Sequence, residues 1–405
     1  MLNTSFSPWP SFSTEEAKAA HDVLLSNRVN YWTGEECKKF EAEFADWAGT
    51  SHAIAVSNGT VAIEIALEAC GIGAGDEVIV TPRTFLASAS AIVRCGATPV
   101  FADIDTDSGN ISAATIAPAI SERTKAVICV HLGGWPCDMD EIMALSEAHD
   151  IVVIEDCAQA HGARYNDKPI GSIGHIGTWS FCQDKIMTLG GEGGMITTSD
   201  RALWKKMWSA KDHGKDWDKV HEKHDGTGFR WVHDSFGSNY RMTEMQAAIG
   251  RIQLKKLPEW TAARTRNAER LIETAEKFSG PEGIITIPNH QARHGNSAEP
   301  AWYKFYLLLN PEKAGPDWTR DRILSEFRKL DVPCYQGSCT EIYKEKAFDS
   351  VTWLPGHPLP NAADLGERSL MFLVHPTLTD EEISRTQSAM EQVFGMASTT
   401  ASGIA

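Results

Sequence analysis

Between about residue 50 and residue 200, short apolar runs alternate with stretches whose apolar residues recur at helical spacing. The runs EVIVTP, TPVFADID, AVICVH, IVVIEDCA, GTWSFC and GGMITTS are rich in Val and Ile and predict strands. Between several of them, residues 61–70, 85–94, 112–120 and 139–148 predict helices. In the first of these, Ile63, Leu67 and Cys70 fall on one stripe. Strands that are apolar on both faces, alternating with helices, predict an α/β fold: a mostly parallel sheet between helices.

After Asp200 the pattern changes. Residues 211–235 are polar, crowded with Lys, Asp and His, and predict a long loop. Residues 242–278 predict a highly charged helix. Beyond residue 281 come a strand (KFYLLLN), a helix over 318–330, a short strand (VPCYQ) and two late helices, the order of a smaller α+β domain. The expected organisation is a large domain over 1–255, a linker helix over 256–280 and a small C-terminal domain over 281–395. Residues 396–405 are small and polar and predict a disordered tail. No internal repeat is present.

A chain of 405 residues is long enough for two cores. Its net charge of −16 disfavours nucleic acid as a partner, because phosphate-backbone binding needs a basic face. A local pocket of donors can still take a small phosphorylated ligand. The nine cysteines are odd in number and include no C-x-x-C pair, which predicts reduced thiols and a cytoplasmic protein. The N-terminus lacks the basic and apolar regions of a secretory signal. No apolar run approaches the roughly 18 residues of a membrane span, so no membrane partner is expected.

Several familiar sites are missing. GIGAGD (residues 71–76) lacks the third glycine of a dinucleotide fingerprint, and it follows a helix instead of a strand. There is no Walker loop and no G-x-S-x-G elbow. His213, His221 and His224 lack the spacing of a helical zinc pair and fit a solvated loop, so no metal is expected.

Three other stretches carry chemistry only in combination. In AVSNGTVAIEIAL, a strand runs through Ser57-Asn58-Gly59-Thr60 into a helix. Such a start is either an ordinary cap or an anion site, where free N–H groups and the helix dipole meet a phosphate. In VIEDCAQAHGA, Asp156 and Gln159 follow a strand at its C-terminal end, where open α/β sheets bind ligands. Asp156 could cap a loop, or it could face a cationic ring nitrogen. Lys185, in WSFCQDKIMTLGGEGG, lies among apolar residues. Alone, it reads as a long stem carrying its charge to water. Together, an anion cradle, a carboxylate at a strand end and a lysine form the set that pyridoxal 5'-phosphate (PLP) needs. The aldehyde takes the amine, the carboxylate keeps the pyridinium protonated, and the cradle holds the phosphate.

With these residues in view, the chain resembles the DegT/DnrJ/EryC1/StrS family of sugar aminotransferases, which have the fold-type I aspartate-aminotransferase architecture. Matching segments run from YWTGEECKKFEAEFADWAG through SNGTVAIEIAL, DEVIVTPRTFLASASAI, GATPVFADID, RTKAVICVHLGG, VIEDCAQAHGA, GTWSFCQDKIMTLGGEGGMITT and GSNYRMTEMQAAIGRIQL to LMFLVHPTLT. The resemblance implies that Lys185 forms a Schiff base with PLP and carries the proton between cofactor and substrate carbons. It implies that Asp156 pairs with the ring nitrogen and Gln159 lies near the ring hydroxyl. Phe85 would stack on the ring, and Gly59, Thr60 and Ser180 would bind the phosphate. Asn239 would reach the phosphate of a neighbouring subunit, which implies a homodimer with shared sites.

The implied reaction moves an amino group from L-glutamate to a nucleotide-linked keto-sugar, with pyridoxamine phosphate as the intermediate form of the cofactor. The expected acceptor is C4 of UDP-2-acetamido-2,6-dideoxy-4-keto-hexose, for O-antigen or capsule synthesis. The alternatives are GDP-4-keto-6-deoxymannose on the perosamine route, a dTDP-3-keto-sugar, or a PLP-binding regulator without turnover. Two stretches depart from the family: Gln183-Asp184 before the lysine, and CYQGSCTEIYKEKAF where many relatives carry a His-rich segment.

Overall fold

A computed structural model of the chain describes residues 5–223, 227–288, 298–355 and 358–402, with side chains to residue 398. Its centre is a seven-stranded sheet of β1 (His52–Val56), β2 (Glu77–Val80), β3 (Thr98–Phe101), β4 (Thr124–Val130), β5 (Val152–Asp156), β8 (Ile176–Ser180) and β9 (Gly194–Thr198). Their order across the sheet is β1-β9-β8-β5-β4-β2-β3. Strands β3, β2, β4, β5 and β8 pair in parallel, and β9 pairs antiparallel with both β8 and β1. The sheet is therefore mostly parallel, as the β/α alternation predicts.

Period-two alternation sends neighbouring residues to opposite faces. Ile54, Val56, Val78, Val80, Ile128 and Ile154 pack in one core with the helices Gly59–Ala69, Ala87–Arg94 and Arg201–Lys211. Ala53, Ala55, Ile79, Val127 and Val153 pack in another with the helices Glu36–Ala48 and Met139–His149. Both faces are buried, so the strands are largely apolar, and the polar residues within them, such as Glu155, are hydrogen-bonded. The parallel register sets Val130 beside Asp156, and Asp156 beside Thr178. The C-terminal ends of three strands thus meet in one row, under the site described below.

The second core is built on an antiparallel sheet of β10 (Ile285–Thr286), β12 (Phe305–Leu309), β13 (Cys334–Tyr335) and β14 (Ser369–Phe372). The helices Arg320–Lys329 and Asp380–Ser402 cover it. A separate small sheet joins β6 (Arg164–Tyr165), β7 (Lys168–Pro169) and β11 (Ala298–Glu299).

Three features differ from the sequence reading. The charged helix spans Glu244–Glu276 and is no free linker. Ala247, Leu254 and Leu257 pack in the large core, and Ala268, Leu271 and Ile272 pack in the small one. At the N-terminus, Phe6 enters the small core rather than the large domain. The last helix continues to Ser402, through most of the expected disordered tail. Ala397 is fully buried, and its carbonyl accepts from Gly315 N–H. Small residues let that turn sit against the core, a contact composition does not reveal. Residues 403–405 lie outside the described residues.

Within the polar stretch 211–235, residues Trp217–His221 form a short helix, and the His221 ring stacks on Trp217 at 3.8 Å. His224 lies outside the described residues. No helix of the described residues is long and apolar enough to cross a membrane.

Candidate active site

The cradle forms where β1 ends and the helix Gly59–Ala69 begins. Asn58 caps the helix by accepting from Val61 N–H at 3.0 Å. Among the described residues, that leaves the N–H groups of Gly59 and Thr60 without an acceptor, as helix starts do. Both point their partial positive charge to the same end of the helix. Ser180, the last residue of β8, lies against Gly59 so closely that a Cβ on residue 59 would sit 2.6 Å from the Ser180 Cβ. Gly59, Thr60 and Ser180 are therefore brought together, and only glycine fits at position 59. Gly59→Ala is expected to weaken cofactor retention at least tenfold and to cost about 1–3 kcal/mol of stability through overpacking. PLP lost on dialysis, together with thermal unfolding, would check both.

Asp156 ends β5 and is buried. Its Oδ1 accepts from Ala158 N–H at 3.1 Å and its Oδ2 from the Ser88 hydroxyl at 3.0 Å. The Ser88 hydroxyl is itself 2.9 Å from Thr84 Oγ1. Burial pushes the Asp156 carboxyl above its usual range despite these donors. A buried carboxylate with two neutral donors and no ion pair is short of a cation. A protonated ring nitrogen would supply one, so the residue fits the cofactor. Gln159 is buried nearby, and its Oε1 accepts from Gly133 N–H at 2.7 Å. That bond fixes the amide and leaves Nε2 as the donor.

Phe85, just before the helix that carries Ser88, is 74% exposed. An open aromatic face beside a buried carboxylate is available for stacking on a flat ring. Phe85→Ala is expected to leave the stability of the cofactor-free protein within about 0.5 kcal/mol, because the ring is exposed. It should weaken PLP binding by about 0.5–1.5 kcal/mol through lost stacking. Equal affinity in both proteins, measured by fluorescence titration, would remove Phe85 from the site.

Lys185 follows β8 across a short turn. Its carbonyl accepts from the Trp9 indole N–H at 2.8 Å, so the N-terminal segment lies against it. The flanking Ile186, Met187 and Leu189 turn into the large core, while the Lys185 side chain is 15% exposed. Its Nζ is 3.8 Å from Asp184 Oδ1 and 5.3 Å from the centre of the Tyr303 ring. The Tyr303 hydroxyl donates to Asp184 Oδ2 at 2.6 Å. Burial pushes the Asp184 carboxyl up, but Lys185 and the Tyr303 hydroxyl outweigh it and hold it below its usual range. Asp184 therefore remains a carboxylate that orients the lysine. Beyond it, Gly190 and Gly191 take φ of 80° and 121°, which lets the chain reverse into β9.

Asn239 is exposed, and the next residue, Tyr240, accepts at its carbonyl from Ser57 N–H at 2.8 Å. Its segment thus borders the cradle of its own chain. Ser88, Tyr303 and Trp9 were missed from sequence. Ser88 had a faint signal, one helical turn beyond Thr84. Tyr303 and Trp9 arrive from more than a hundred residues away and had none. A buried cluster of His131, Glu155 and Cys157 lies behind Asp156. His131 Nδ1 accepts from Cys137 N–H at 3.0 Å, so Nε2 carries the proton and faces Glu155 Oε2 at 3.1 Å. Glu155 also accepts from the N–H groups of Gly171, Ile173 and Gly174. This cluster braces the strand that presents Asp156.

The chain matches known proteins over nearly its whole length. The model of the DegT/DnrJ/EryC1/StrS aminotransferase family matches residues 10–391. A GDP-perosamine synthase of Caulobacter vibrioides is 38% identical over 376 residues, covering 92% of this chain and 95% of that protein. A UDP-N-acetyl-3-dehydro-alpha-D-glucosamine 3-aminotransferase of Acidithiobacillus ferrooxidans is 35% identical over 366 residues, covering 90% of each. The crystal structure of an aminotransferase from Psychrobacter cryohalolentis superposes with a TM-score of 0.94 at 56% identity, covering 96% of this chain and 99% of that one. The fold is the fold-type I aminotransferase architecture.

Proposed function

The chain belongs to the DegT/DnrJ/EryC1/StrS family of PLP-dependent aminotransferases, and on that premise we propose that it moves an amino group from L-glutamate to the keto carbon of a nucleotide-linked sugar. The observation that carries this reading is the convergence of Lys185, the cation-seeking Asp156 and the unpartnered N–H groups of Gly59 and Thr60. PLP, when bound, supplies an aldehyde for the amine and a ring that accepts electrons from the substrate carbon. Lys185 Nζ would then be the base that moves the proton between carbons. Asp156 would keep the ring nitrogen protonated, and Gln159 Nε2 would be the donor for the ring hydroxyl. Gly59, Thr60 and Ser180 would hold the phosphate, and Phe85 would stack on the ring. Asn239 would act across a homodimer interface on the partner's phosphate. We also propose a cytoplasmic setting, a compartment that keeps thiols reduced, which suits nine cysteines without a disulfide among the described residues.

For the acceptor we propose C4 of UDP-2-acetamido-2,6-dideoxy-4-keto-hexose, in the making of an O-antigen or capsule sugar. Likeness to a protein named GDP-perosamine synthase favours a second reading, GDP-4-keto-6-deoxymannose. The test is spectroscopic. The purified protein should be yellow, and L-glutamate should bleach the band. Amino-sugars linked to UDP, GDP or dTDP, offered in reverse, should restore it only for the true product. A protein whose band ignores every amine donor would falsify the reading.

A further inference from the structure

Beside the site just described lies a cleft between the loops that follow β2, β3 and β4 and the strand β12. Its walls are largely apolar, with Leu132, Trp135, Trp302 and Leu365 among them. Two cations also line it, Arg83 and Lys304. Arg83 is 5% exposed. Its Nη1 donates to the Gly109 carbonyl at 3.1 Å, its Nε has no acceptor, and its guanidinium lies 5.0 Å from the centre of the Tyr306 ring. Gly109 makes the fit possible, since a Cβ there would collide with Arg83 Nη1. Neither Arg83 nor Lys304 forms a salt bridge among the described residues. Asp107 also lines the cleft and is itself partnered. Asp184, the carboxylate whose charge reaches Lys304, is engaged by Tyr303 and Lys185.

A guanidinium buried without a counter-ion costs free energy that the fold does not recover by itself. Here it occurs in a protein of net charge −16, where carboxylates were available in abundance. The cleft is also tied to the cofactor residues. Gly133 lines it, donates its N–H to Gln159 Oε1 at 2.7 Å, and accepts at its carbonyl from Lys304 N–H at 3.3 Å. We propose that the cleft between Arg83 and Lys304 is a substrate subsite for a delocalised oxyanion, either a carboxylate of the amino donor or a phosphoryl group of the nucleotide-sugar. With Nη1 held by Gly109 and Nε buried, Nη2 is the donor left to meet such a group, and the apolar walls strengthen the attraction of the fixed charge. Burial lowers the Lys304 ammonium to about 8, with Arg264 adding to the effect and Asp184 opposing it. An arriving anion would raise it back toward its usual range.

The inference rests on the aminotransferase reading, and its test is separable from that reading. The PLP-loaded protein is titrated by calorimetry with glutarate, an unreactive dicarboxylate, and with UDP and GDP. Arg83→Gln and Lys304→Gln are each expected to weaken one probe class tenfold or more, with a salt dependence shallower than wild type. Loss of glutarate binding identifies the donor carboxylate as the ligand, and loss of nucleotide binding identifies the phosphoryl group. Folded variants that bind all three probes as wild type does would overturn the subsite. If Arg83→Gln does not fold, unchanged binding by Lys304→Gln overturns it alone. A clamp that merely ties Arg83 to Gly109 would change thermal stability and leave binding untouched. Failure of the functional reading shows elsewhere, as a wild-type band that no amine donor bleaches.

Discussion

Lys185→Ala should lower transamination by about 10⁴-fold or more, since in the proposed mechanism it removes both the amine that would receive the cofactor and the base that would move the proton. The structure makes this loss specific. Lys185 is anchored through its main chain, by Trp9 at its carbonyl, and its neighbours Ile186, Met187 and Leu189 pack in the core without help from its side chain. Alanine should therefore fold normally, and stability should change by about 0.5 kcal/mol or less. After borohydride reduction, the peptide carrying residue 185 should gain the mass of the cofactor in wild type and not in the variant. A variant that keeps the added mass would place the reactive amine elsewhere.

Asp156→Asn should lower kcat by about 10- to 1000-fold, because a close carboxylate moves its partner's pKa by roughly one to three units, or about 1.4–4 kcal/mol. Its effect on the cofactor-free protein should run the other way. Burial raises the Asp156 carboxyl above its unfolded value, so over that window the folded state binds more protons than the unfolded state. Stability contributed by the protonated form is lost as pH rises from the ordinary carboxylate range through the raised one. Asparagine has no charge to bury, so the variant should lose that dependence and be at least as stable as wild type at neutral pH. In wild type, PLP should stabilise more strongly as pH rises through the same window. Thermal unfolding of both proteins, with and without PLP, would check this. A variant less stable than wild type without PLP would mean that Ser88 and Ala158 already satisfy the carboxylate. The pattern is that of a site residue retained for function at a cost to the empty fold.

Much of this was legible along the chain. The strands β2, β3, β4, β5, β8 and β9 each coincide with one of the apolar runs, because burial on both faces favours such composition. The cradle could be read from Ser57-Asn58-Gly59-Thr60, since capping and close approach are local properties of the residue types. Lys185 remained ambiguous until Asp156 was placed in the same sheet. The small strands β6, β7 and β11 were not legible, being two residues each with no period to detect. The continuation of the last helix past Ala397 depended on a contact with Gly315 far away in sequence.

The sequence alone determined the α/β class and the order of the central elements, and it raised the proposed set Gly59, Thr60, Asp156 and Lys185, because each of these follows from local residue type and period. Only the tertiary structure decided what surrounds them. It joined Tyr303 to Asp184 beside the lysine and Ser88 to Asp156. It ran one long helix through two cores, and it set Arg83 and Lys304 in the wall of a common cleft, neither in a salt bridge among the described residues. Those contacts join residues distant in the chain, and they depend on how the elements pack, which no local pattern encodes.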